Sequence, residues 1–192
     1  MWCKRMVKLL FTNDDRNLKL RDASGLSLLW WTARNGYEAA TRLLLETEGV
    51  EPELTNENGR TPLFCAIING NDMLVRLLLE RDDVSPDCQD KFGLTPLLLA
   101  ASQGREAMVR LLLSDNRADP NSKDLTHGNI LLSMAAMEGH ELIIKLLLAQ
   151  DGIDVNSRFA SDGRTPLSVT AEYGCVAVVK LLLQKRDVNL DS

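Results

Sequence analysis

A Leu-Leu-Leu triplet recurs through the chain, beginning at Leu43, Leu77, Leu111, Leu146 and Leu181, in steps of 34, 34, 35 and 35 residues. One step upstream, Leu9-Leu10-Phe11 is an imperfect sixth copy. A basic residue precedes each copy: Lys8, Arg42, Arg76, Arg110, Lys145 and Lys180. A fixed period of this length restricts the fold to stacked repeats, each too small to bury a core alone.

Two sets of glycines keep the same step. Gly36, Gly70, Gly104, Gly139 and Gly174 each stand seven residues before a triplet. Gly59, Gly93 and Gly163 each stand two residues before Thr-Pro-Leu, while the copies after Gly25 and Gly128 are degenerate, reading Ser27-Leu28-Leu29 and Ile130-Leu131-Leu132. Thr can cap a helix and Pro fits its first position, so Thr-Pro opens a short helix. The second glycine ends that helix in the left-handed conformation. A second helix then runs through the triplet. The stretch from Met73 to Leu79 is apolar on most sides and needs cover on more than one face. Stacking supplies that cover. A single unit with helices this short buries too little apolar surface to offset its chain entropy. Between each triplet and the next turn glycine lie 13 or 14 residues rich in turn formers, such as Ala118-Asp119-Pro120-Asn121, which predict projecting hairpin loops.

The unit resembles the ankyrin repeat. The third copy carries the likeness best, as Asp90-Lys91-Phe92-Gly93-Leu94-Thr95-Pro96-Leu97, then Ala100-Ala101, Gly104 and Leu111-Leu112-Leu113. The resemblance implies an all-α repeat solenoid of stacked helix-turn-helix units with projecting hairpin loops. It implies one array over 1–192: a partial repeat at 1–21, then repeats at 22–55, 56–89, 90–124, 125–159 and 160–192. The histidine that follows Thr-Pro-Leu in the family is missing throughout. Trp30, Phe64, Leu98, Ser133 and Ser168 stand in its place. The hydrogen bonds it makes between neighbouring turns must therefore be lost or replaced. Neither end reads as a polar cap, so further repeats or self-association are expected there.

The net charge of −5 argues against a general phosphate-binding surface, and no apolar run reaches the length of a membrane span. Neither nucleic acid nor membrane is expected as a partner. Cys3, Cys65, Cys88 and Cys175 lack metal-pair spacing and read as reduced thiols, and no cleavable leader is evident, which gives an intracellular, cytoplasmic or nuclear location. His127 and His140 have no converging partners, and no phosphate loop or nucleophile motif appears, so no catalytic residue, metal or cofactor is expected.

Ankyrin arrays bind protein partners through a concave face of hairpin tips and first helices. The resemblance therefore implies a non-catalytic interaction scaffold, and its site falls on positions that vary between copies. At the tips these are Glu57, Asn58 and Arg60; Lys91, Phe92 and Leu94; His127 and Asn129; Asp162 and Arg164. At the helix ends they are Arg34; Ile68 and Asn69; Ser102 and Gln103; Met137 and Glu138; Glu172 and Tyr173. The alternatives are a regulatory or sensing segment of a larger enzyme or NTPase-containing protein, an enzyme in its own right, and a structural fragment.

Overall fold

A residue that can hold an extended backbone and offer a hydroxyl opens the first helix of four of the five pairs. Ser27 accepts from the Trp30 N–H, Thr95 from Leu98, and Thr165 from Ser168, whose own hydroxyl returns the favour to the Thr165 N–H. Thr61 takes the same extended conformation, but its hydroxyl makes no cap bond to the helix. The cap there rests on backbone geometry and on Pro62.

The computed structural model describes residues 26–125, 128, 131–158, 162–185 and 187–190. Among them are ten helices and no strand. The chain divides into two compact units between Ser85 and Pro86. The first contains α1 (Leu28–Arg34), α2 (Glu38–Glu46), α3 (Pro62–Ile68) and α4 (Asp72–Leu79). The second contains α5 (Pro96–Ser102), α6 (Glu106–Leu113), α7 (Leu131–Met137), α8 (Glu141–Leu148), α9 (Pro166–Glu172) and α10 (Val176–Leu183). A glycine of positive φ separates the helices of each pair, as at Gly70 with φ 69°.

Within each unit the helices form two rows. In the first, α1 packs on α3 and α2 on α4. In the second, α5, α7 and α9 make one row and α6, α8 and α10 the other. The core lies between rows: Leu29, Leu44, Phe64, Leu74 and Leu78 in the first unit, Leu97, Leu98, Met108, Leu112 and Leu131 in the second. Leu74, Val75, Leu77 and Leu78 of α4 are buried, while Met73 at its first turn is 50% exposed. Arg42, Arg76, Arg110, Lys145 and Lys180, before the triplets, face solvent, and Lys8 lies outside the described residues.

The missing histidines are made good at one position only. Trp30 is buried in α1, and its Nε1–H donates to the Arg60 carbonyl at 3.1 Å, tying one turn to the next. Phe64 and Leu98 fill the same position with apolar bulk. The Ser133 hydroxyl is buried there without a hydrogen bond, and the Ser168 hydroxyl serves its own helix cap.

The loops carry a second set of ties. Asn121 donates from Nδ2 to the Gly152 carbonyl at 2.9 Å and accepts the Asp154 N–H on Oδ1 at 2.9 Å. Asn156 repeats the arrangement with the Asp187 carbonyl and the Asn189 N–H. One step earlier stands Asp87, which accepts the Asp119 N–H, and one step before that Glu53, which accepts the Ser85 N–H at 3.2 Å. A carboxylate can fill only the acceptor half of the rung. Burial raises the pKa of both acids above the ordinary carboxylate value.

Asp87→Asn should therefore raise stability by about 0.5–1.5 kcal/mol at pH 7, by supplying the amide donor. The folded pKa of Asp87 lies above its unfolded value, so its penalty is full above the folded pKa and is relieved as pH falls toward the unfolded one. The advantage of the asparagine should shrink on acidification. Urea denaturation of both proteins at pH 7 and pH 4 measures it, and a variant no more stable at pH 7 would show that the rung does not need its donor.

Candidate interaction surface

At the second and third tips a short polar side chain folds the loop onto itself. Asn56 Oδ1 accepts the Asn58 and Arg60 N–H groups, both at 2.9 Å. Asp90 Oδ1 accepts those of Phe92 at 2.9 Å and Leu94 at 3.0 Å. These turns are why the tips project, and they fix which side chains point outward.

In the first unit, four of the expected site residues meet. Arg34, Arg60, Ile68 and Asn69 line one open cavity of about 330 Å³ between α1 and α3, together with Trp30, Asn56 and Cys65. The Arg34 guanidinium lies over the Trp30 ring, 5.6 Å from its centroid. Asn69 donates from Nδ2 to the Arg34 carbonyl at 2.7 Å, which holds the rim. Glu57 and Asn58 are exposed on the tip and do not line the cavity. Burial pushes the Cys65 thiol up to about 12, against the opposing pull of Arg34 and Arg60, so it stays protonated and is no nucleophile at neutral pH.

In the second unit the expected residues are dispersed. Lys91 and Phe92 are exposed on their tip, Phe92 at 54%, while Leu94 is half-buried. The Leu125 N–H donates to the Phe92 carbonyl at 3.0 Å, and Leu125 itself is 74% exposed, so two apolar residues lie side by side at the tips. The Ser102 hydroxyl turns back onto the Leu99 carbonyl, beside exposed Gln103. Met137 is half-buried and Glu138 exposed. Arg164 pairs with Asp162 and with Glu172, both at 2.6 Å, so three expected contacts satisfy one another. Tyr173, at the end of α9, is more than half exposed. His127 and Asn129 lie outside the described residues.

Trp30, Asn56, Cys65 and Leu125 were not among the expected site residues. Trp30 at a histidine position was a visible anomaly. Leu125 was obscured because its copy carries an extra residue between Asp124 and Gly128, compared with Asp90 to Gly93 one step earlier.

His140 sits half-buried with its ring packed beside Gly104, a structural placement. Among the described residues no group of three His, Cys, Asp or Glu side chains converges to hold a metal, and no helix is long and apolar enough to cross a membrane. A family model described as ankyrin repeats (three copies) matches residues 3–90, 29–124, 74–159 and 116–192. A search of curated proteins gave no match.

Proposed function

The chain belongs to the ankyrin repeat family, and from that premise we propose that it holds a protein partner on the face made by its hairpin tips and first helices. Ankyrin repeats are generally protein–protein interaction modules and are typically non-catalytic. The observation that carries the reading here is the outward display of large apolar side chains on that face. Phe92 and Tyr173 are each 54% exposed, and Leu125 adds to the first of them. Apolar anchors among polar neighbours are the composition of an interface hot spot. We infer a single array with the repeat boundaries given above. We place the protein in the cytoplasm or nucleus, where thiols stay reduced; no disulfide joins the described cysteines.

The test replaces Phe92 and Tyr173 with alanine. Their side chains are solvent-facing, so denaturation should shift by no more than about 0.5 kcal/mol. Partners recovered from the native cell by the intact chain should bind the double variant at least tenfold more weakly, a loss of roughly 1.4 kcal/mol or more. Equal recovery by both proteins would remove the reading.

A further inference from the structure

We propose that the cavity between α1 and α3 receives a single carboxylate side chain of a protein partner, held by Arg34. The proposal rests on the interaction role just given and adds the chemistry of one contact.

Size comes first. A volume of about 330 Å³ stands at the lower end of ligand pockets and suits a side chain better than a cofactor. Charge comes second. Arg34 lines the cavity, and among the described residues no carboxylate does. Arg34 forms no ion pair with any carboxylate among the described residues, unlike Arg42, Arg81, Arg110, Arg117 and Arg164, which all do. A planar guanidinium matches a carboxylate through two parallel hydrogen bonds.

The third argument is that the cation is already positioned. Arg34 rests on the indole of Trp30, and that indole is fixed by its own bond to the Arg60 carbonyl. A group immobilised before binding loses less entropy on binding. Ile68, 36% exposed on the rim, offers an apolar surface for the methylene stem of a glutamate. Cys65 stays a neutral thiol in the wall, so recognition is by charge without covalent chemistry.

The wider field selects the kind of anion. The chain carries −5 overall and repels a polyanion, so one carboxylate set in a mostly neutral segment fits better than a nucleic acid or an acidic tract. A phosphorylated side chain presents a related oxyanion and is separated from the carboxylate by experiment.

Three probes are titrated into the full ¹⁵N-labelled chain at constant ionic strength: N-acetyl-glutamate N-methylamide, its glutamine counterpart, and inorganic phosphate. The readout is the Trp30 indole N–H resonance. The glutamate probe should move it saturably, with a dissociation constant in the millimolar range. The glutamine probe should not, and Arg34→Gln should weaken the glutamate response at least fivefold. A response to phosphate alone, an equal response to glutamine, or none would overturn the proposal. The comparison of glutamate with glutamine uses the unaltered chain, so it survives a poorly folded variant. If the glutamate probe fails while Phe92 and Tyr173 still govern partner recovery, the carboxylate site falls and the interaction role stands. If both fail, both fall.

Discussion

Phe64→Ala should cost about 3–5 kcal/mol, the upper range for emptying an aromatic site in a core. Phe64 is fully buried in α3, at the position where the family places histidine. It is surrounded along its own helix by Leu63, Ile67 and Ala66, all within 1% of complete burial. Short helices on a stacked core relax poorly into a vacancy, because each is held by two neighbours. Leu78→Ala, also at 0% exposure, should cost about 2–5 kcal/mol. Phe92→Ala should cost almost nothing by comparison. Urea unfolding followed by circular dichroism gives all three values, and the slope should stay constant. A loss under about 1 kcal/mol at Phe64 would mean that the core is far looser than its burial indicates.

Gly93→Ala should be the other severe change, at about 2–4 kcal/mol, combining a backbone term of roughly 1–2 kcal/mol with a clash. Gly93 has φ +73°, where a side chain is strained. A Cβ there would also lie 2.3 Å from Leu125 Cγ and 2.5 Å from the Leu125 backbone nitrogen. The backbone atom cannot rotate away, and it is the one bonded to the Phe92 carbonyl. Gly139→Ala is the control. Its φ is +71°, but nothing lies within 4 Å of an added Cβ. The difference between the two variants isolates the packing of one loop against the next tip. Equal losses would show that conformation alone sets the cost.

The helices were legible because core packing repeats its demands every turn of the array. Leu44, Leu78, Leu112, Leu147 and Leu182 are buried for one reason, and that reason writes the same letter at the same spacing. The tips were legible in outline, since Phe92 and Tyr173 are apolar where nothing in the fold needs them to be. What each surface residue does was less so. Arg164 looked like an available contact, yet Asp162 and Glu172 occupy it. The cavity could not be read from any local window, because Arg34, Arg60 and Asn69 converge from separate turns. Trp30 was visible only as a departure from histidine. Its role as a donor depends on a carbonyl 30 residues away, which linear spacing does not specify.

The loop rungs change chemistry along the chain, from acid at Glu53 and Asp87 to amide at Asn121 and Asn156. Amides do not titrate, whereas burial makes both acids harder to ionise in the folded state than in the unfolded one. Each acid rung thus carries a desolvation cost at neutral pH that acid relieves, and each amide rung holds its loop with no charge to hide.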